Sequence, residues 1–151
     1  RVAIVGQSRG GVLARVLAVR RPDLVSGIVT LGSPTVRQLD AHPLVLAQVL
    51  VLGTLGTGRL PGLFSIRCLR GDCCTQFDEQ LRAPFPPDVG FVALYSRTDG
   101  VVRWRACLDP AAEHVEVHAS HVGMAVNAQV YAEIGHALAR FAERQPLAQA
   151  A

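Results

Sequence analysis

The sequence has no lysine, since all 15 of its basic residues are arginines. These arginines are scattered along the 151 residues rather than gathered into a run, and the formal net charge is only +3. Proteins that bind nucleic acids concentrate their basic residues on one stripe or patch. The distribution therefore excludes nucleic acid as an expected partner.

Long apolar runs are also missing. The longest, at residues 44–56, is interrupted by Gln48 and by glycines and falls short of the ~20 residues that span a bilayer. We expect no transmembrane segment. The chain opens at Arg1 rather than methionine and has no signal-peptide pattern, so we expect the sequence to begin inside a longer protein.

Cysteine is scarce, and the four that occur lack the C-x-x-C spacing of zinc sites and redox motifs. Buried free thiols are the expected state, because free cysteine behaves as a small hydrophobic residue. A disulfide from Cys107 to Cys73 or Cys74 is the alternative, and it would indicate an oxidising compartment. We expect neither a bound metal nor a cofactor. The four cysteines are Cys68, Cys73, Cys74 and Cys107.

What the sequence does contain is an alternation of strand and helix patterns, which predicts an α/β fold with a parallel sheet covered by helices on both faces. Asn127 is the expected N-cap of the last helix, whose apolar face is predicted to be Val130, Ile134, Leu138 and Phe141. The predicted strands are 2–5, 28–31, 90–96 and 114–119, and the predicted helices are 10–20, a short one within 101–108, and 127–144.

Residues 36–87 interrupt this alternation and are interpreted as a cap-like insertion in a single domain covering 1–151. The segment opens with an apolar helical stretch at about 43–56. One interpretation of residues 36–66 is an apolar lid over an ester with an acyl chain. An ordinary helix buried against the core is the other, and the sequence does not separate them.

Ser8 stands in the stretch G-Q-S-R-G-G, between a strand pattern and a helix pattern. A serine hydroxyl is a weak nucleophile unless a turn exposes it beside a base. We expect Gly6 and Gly10 to leave room for strand and helix to approach, since a Cβ at either position would clash. The Arg9 N–H, at the start of the helix, would then face an oxyanion forming at Ser8.

Two other glycine-rich loops do not fit the same stretch. A phosphate-binding P-loop would need Lys followed by Ser or Thr after Gly11, where this chain has Val12 and Leu13. A dinucleotide-binding loop would need glycine at the position of Ser8. The interpretation as a nucleophile turn is therefore preferred.

The base and its orienting acid are expected from the ends of other strands, because ligand sites in parallel sheets lie beyond the carboxyl ends. Asp99 follows the third predicted strand, with Gly100 allowing a tight turn. His121 lies just beyond the fourth. The other histidines are placed within the insertion, within the last helix, or at the ends of the fourth strand. Asp99 and His121 are therefore the predicted partners of Ser8.

The stretches G-Q-S-R-G-G, T-L-G-S-P, Y-S-R-T-D-G-V-V and S-H-V-G-M together resemble the α/β-hydrolase superfamily, and within it the bacterial esterase and lipase-like members with a short cap. The resemblance covers the part of that fold from the nucleophile strand onward. It implies a partial α/β-hydrolase fold, Ser8 as nucleophile, His121 as general acid and base, Asp99 as the orienting carboxylate and a small-molecule or lipid ester as substrate.

The family takes its second oxyanion N–H from a loop after an earlier strand, which would lie upstream of Arg1. Without that half of the fold, the Ser8 strand would form an exposed apolar edge, so we expect the rest of a longer protein, another partner or a second copy of the chain to cover it. Besides ester hydrolysis, two alternatives remain: an inactive hydrolase-like module that dimerises or binds partners, and an acyltransferase.

Overall fold

A computed structural model describes residues 1–36, 42–58 and 72–144, and these form an α/β structure. Four parallel strands pair in the order β1-β2-β3-β4. The strands are β1 (Val2–Gln7), β2 (Val25–Leu31), β3 (Gly90–Tyr95) and β4 (Glu113–Glu116). The helices are α1 (Arg9–Arg20), α2 (Pro43–Thr57), α3 (Asp72–Arg82) and α4 (Ala128–Glu143), with 3₁₀ turns at Trp104–Cys107 and Gly123–Val126.

The sheet is covered by helices on both faces, as predicted. Successive residues of β2 point to opposite sides: Ile28 packs with Ala14 and Ala18 of α1, whereas Val29 packs with Val130 and the rest of the α4 side of the core. Every residue of β2 is buried. The continuous apolar pattern of the central strands follows from this two-sided burial.

Helix α4 docks onto the sheet through Phe141. Gly27 and Gly90 are paired in register on β2 and β3, and a Cβ on either would lie within 2.4 Å of the Phe141 ring. The absence of side chains at these two positions thus allows the Phe141 ring to pack directly against the backbone of the sheet. The predicted N-cap is confirmed, because the Asn127 side chain accepts from the Val130 N–H at 3.2 Å.

Three sequence predictions need correction. Leu138 lies largely outside the apolar face of α4, where Ala137 is buried instead. Strand β4 spans Glu113–Glu116 rather than 114–119, because β3, its neighbour in the sheet of the described residues, ends at Tyr95. Helix α3 was not predicted, because it is short and rich in polar residues; Phe77 and Leu81, one turn apart, pack on α1.

Strand β1 lies at the edge of the sheet formed by the described residues. Val2 is 60% exposed and Val5 is 43% exposed, and Leu13 and Leu17 on the adjoining helix α1 are exposed as well. An exposed apolar edge strand was the expectation from the sequence.

Helix α2 is confirmed over almost the predicted range, but it is not packed as an ordinary buried helix. Gly53 is its only residue classed as buried, and large apolar side chains along it, such as Leu44 and Leu50, are exposed. Residues 37–41 and 59–71 of the predicted insertion, Cys68 among them, lie outside the described residues. None of the helices within the described residues has the length and apolar character needed to cross a bilayer.

Candidate active site

The site lies beyond the carboxyl ends of the strands. Ser8 follows β1 directly, Asp99 follows β3, and His121 follows β4. In a parallel sheet these ends share one edge, so loops distant in sequence meet there.

Asp99 and His121 are in direct contact, with His121 Nδ1 lying 2.7 Å from Asp99 Oδ2. Both side chains are sheltered, since that of Asp99 is 3% exposed and that of His121 is 12% exposed. A carboxylate can only accept a hydrogen bond, so this contact selects the imidazole tautomer with its proton on Nδ1. The lone pair of Nε2 is then available to a hydroxyl proton.

The backbone around Asp99 holds its carboxylate in place. Oδ1 accepts from the N–H groups of Val101 at 2.9 Å and Val102 at 2.6 Å, which leaves Oδ2 for the imidazole. Gly100, which lies between Asp99 and Val101, has φ of +80°, a conformation that glycine adopts without strain. The His121 N–H also donates to the Asp99 carbonyl at 2.9 Å. The aspartate and histidine loops are therefore joined by both backbone and side-chain hydrogen bonds.

Ser8 has φ of +53° and ψ of −123° and is the one non-glycine residue with positive φ in the described part of the chain. Such a conformation costs about 1–3 kcal/mol and persists where the surroundings impose it. The Ser8 N–H donates to the Leu31 carbonyl of β2 at 2.8 Å, which fixes the turn. The strained strand-to-helix turn is the geometry of a nucleophile elbow.

The Ser8 hydroxyl makes no hydrogen bond to any described residue, His121 included. Hydrogen bonds between nucleophile and base are often long without substrate. One contact joins the serine loop to the pair, and Gly32, directly after β2, lies close to the pair as well. The side chain of Gln7 donates from Nε2 to the His121 carbonyl at 2.5 Å. A Cβ at Gly32, next to Leu31, would lie 2.8 Å from Asp99 Oδ2 and 3.2 Å from His121 Nδ1.

The glycines around Ser8 play different parts from those predicted. A Cβ at Gly6 would lie 2.6 Å from backbone atoms of Gly10 and Gly11, as expected, but a Cβ at Gly10 would meet nothing within 4 Å. The predicted clash at Gly10 is therefore wrong, because that position faces outward. Gly11 is the second constrained position, since a Cβ there would lie 2.1 Å from Ser33 Oγ.

The Arg9 N–H opens helix α1, where first-turn amides have no carbonyl of a preceding turn to bond. The Ser8 N–H, by contrast, is already bonded to Leu31. The Arg9 amide thus stands at the first position of α1, directly after Ser8, and its role as oxyanion donor stays a prediction.

The remaining histidines lie elsewhere. His42 caps α2 and His136 lies 3.6 Å from Glu133 on α4. His114 Nε2 contacts the Asp109 carbonyl at 2.7 Å, and His118 is exposed. Within the described residues, no group of three or more His, Cys, Asp or Glu side chains is arranged to hold a metal ion.

Sequence reasoning missed Gln7 and Gly11. Gln7 is a polar residue at the end of a buried strand pattern, immediately before the serine, and that position was the available signal. The sequence around Gly11 contained no such signal, because the side chain that leaves no room for a Cβ there belongs to Ser33, which follows another strand.

No protein-family model and no curated protein sequence matches this chain. The assignment of function therefore depends on the site geometry and on the sequence resemblance.

Proposed function

We propose that the chain is the catalytic part of a serine hydrolase that cleaves carboxylic esters. The observation that carries the proposal is the sheltered Asp99–His121 pair at the same sheet edge as a serine in a strained turn. The Asp99 carboxylate also accepts from the Val101 and Val102 amides of its own turn, but that role does not require a histidine at its second oxygen. Backbone strain and buried polar pairs concentrate at functional sites.

In the proposed reaction, Ser8 Oγ attacks the ester carbonyl carbon while His121 Nε2 takes the hydroxyl proton. The alcohol then leaves with that proton, and Ser8 retains the acyl group as an ester. Water, deprotonated by His121, attacks this acyl-enzyme; the bond from the acyl carbon to Ser8 Oγ breaks, His121 returns the proton to Ser8 Oγ, and the carboxylic acid is released. Asp99 stabilises the imidazolium, and the Arg9 N–H donates to the oxyanion.

Helix α2 supports the proposed substrate class. Its large apolar side chains are exposed, which favours the lid interpretation over an ordinary buried helix. An apolar helix of this kind suits an ester with an acyl chain, in keeping with the resemblance to esterases and lipase-like α/β-hydrolases.

The test is labelling with a fluorophosphonate probe together with turnover of p-nitrophenyl esters. Wild type should be labelled and active, and Ser8→Ala should lose both. Ser26→Ala is the matched control, because Ser26 lies near the amino end of β2, and it should keep both. Unchanged labelling and turnover in Ser8→Ala would exclude the proposal.

The exposed apolar edge at β1 supports a second candidate, an inactive hydrolase-like module that binds a partner or a second copy. Exposed edge strands readily pair with other strands. This candidate requires a stable dimer by sedimentation and no labelling of Ser8. An acyltransferase would instead be labelled and would prefer an alcohol to water as acceptor.

A further inference from the structure

A second candidate site adjoins the Asp99 loop, and neither Ser8 nor His121 is among its lining residues. It is a cavity of about 460 Å³, within the range of roughly 300–1,000 Å³ typical of small-molecule sites. Its lining includes three arginines and the only tryptophan of the chain. The lining residues are His42, Arg97, Gly100, Val101, Val102, Arg103, Trp104 and Arg105.

Trp104 holds two of the guanidinium groups in place. The Arg105 Cζ atom lies 4.3 Å from the ring centroid and the Arg97 Cζ atom lies 5.0 Å from it. Tyr95 stacks on the same indole with a centroid separation of 5.8 Å. Cation–π contact restrains otherwise flexible arginines, so less conformational entropy is lost when they bind a ligand.

The charged side chains that line the cavity are arginines. Arg97 forms an ion pair with Glu116, in which Nε lies 3.1 Å from Oε1. Arg105 forms no ion pair with any residue in the described ranges. His42 Nδ1 accepts from the Leu44 N–H at 3.3 Å, so the ring proton is on Nε2, which is a donor. Every charged side chain lining the cavity is thus a cation.

We propose that this cavity binds an anionic small molecule through phosphate or carboxylate oxygens, with the guanidinium groups of Arg97 and Arg105 as principal donors. Planar guanidinium groups match the paired oxygens of both anions. The site is distinct from the ester site, but the two share a loop. Val101 and Val102 line the cavity, and their N–H groups hold the Asp99 carboxylate.

Because Trp104 is the only tryptophan, its fluorescence reports this site directly. The experiment titrates the protein with sodium phosphate, and separately with citrate, at constant ionic strength maintained with sodium chloride. We expect a saturable change with at least one of them. Saturation by phosphate alone identifies a phosphate-bearing ligand, and saturation by citrate alone identifies a carboxylate-bearing one.

The matched variants are Arg105→Gln, Arg105→Lys and Arg21→Gln. Arg105→Gln should raise the dissociation constant at least about tenfold, because it removes a charged donor. Arg105→Lys keeps the charge but not the planar fork, so it should fall between wild type and Arg105→Gln. Arg21, at the end of α1 and paired with Asp23, is the control and should leave the dissociation constant unchanged.

Two results would overturn the proposal. One is the absence of a saturable signal with either anion up to about 50 mM, well above the dissociation constant of a millimolar site. The other is an unchanged dissociation constant in Arg105→Gln, with its fold verified by circular dichroism. Both readouts measure binding, so they do not depend on whether the chain hydrolyses esters.

Discussion

The side chain of Gln7, the last residue of strand β1, donates a hydrogen bond to the backbone carbonyl of His121 at 2.5 Å. The two residues are 114 positions apart, and the contact joins the loop of the proposed nucleophile to the loop of the proposed base. His121 is thus held at two places: Asp99 contacts Nδ1 of its ring, and Gln7 bonds to its backbone carbonyl.

Under the proposed function, Gln7 is a positioning residue that acts through His121. Gln7→Ala should lower kcat on p-nitrophenyl esters about tenfold, the usual cost of one lost hydrogen bond to a catalytic loop, with KM unchanged. Gln7→Glu should be more damaging, because it places a carboxylate against the carbonyl that needs a donor. A Gln80→Ala variant removes a glutamine that bonds Arg20 elsewhere and should be unaffected. A change in KM alone would show that Gln7 binds substrate instead.

The turn around Ser8 yields a comparison among three glycines. Gly11→Ala should destabilise the fold by about 2 kcal/mol or more, since its Cβ would overlap Ser33 Oγ and the Gly6 carbonyl. Gly6→Ala should behave similarly. Gly10→Ala should be neutral or stabilise by up to about 1 kcal/mol, because alanine favours a helix and its Cβ meets open space.

Urea unfolding of the three variants measures these differences. Equal losses at Gly10 and Gly11 would contradict the geometry, and would indicate that Gly10 faces a surface covered in solution.

Elements with a long, clear period were predictable from the sequence. The repeat of apolar residues placed α1 and α4 nearly to the residue, and a continuous apolar run placed α2. The ends of the predicted strands indicated that Asp99 and His121 would lie at one edge of the sheet. Helix α3 was not predicted, because it is short and most of its residues are charged or polar, so its few apolar positions, Phe77 and Leu81 among them, give a weak pattern. The contact of Gln7 with His121 depends on how two loops meet, which no local pattern encodes.

The buried ion pair between Arg15 and Asp109 ties α1 to the segment before β4. Arg15 Nε lies 2.5 Å from Asp109 Oδ2, with side chains 7% and 4% exposed, and Arg15 also donates to the Leu81 carbonyl. Removing one partner of a buried pair strands the other charge, so Arg15→Met or Asp109→Asn should cost about 3–5 kcal/mol.

The double variant should recover part of that loss, since no charge is left unpaired. Arg21→Ala, which breaks the exposed pair with Asp23, should cost less than about 1 kcal/mol. Denaturant unfolding of wild type, the two single variants and the double variant completes a double-mutant cycle, with Arg21→Ala measured beside it as the exposed-pair control. Additive single losses would mean that the two side chains are not coupled.

Cys107 is a free, buried thiol, the state expected for it in preference to a disulfide. Burial, and secondarily the nearby negative charge of Asp99, raises the pKa of this thiol from 9.0 to about 12. In the native state the Cys107 thiol therefore keeps its proton at a pH where the same thiol in the unfolded chain has lost it. The contribution of Cys107 to the free energy of unfolding is fully present below pH 9 and declines as the pH rises from about 9 to about 12.

The expected slope is up to about 1.4 kcal/mol per pH unit in that window. Cys107→Ala removes this titration while sharing every other ionisable group with wild type, so the difference in unfolding free energy between the two isolates it. The stability advantage of wild type over Cys107→Ala, measured by urea unfolding, should shrink between pH 9 and pH 10.5. A constant difference would mean that the thiol titrates alike in the native and unfolded chains, and hence that it is accessible to water.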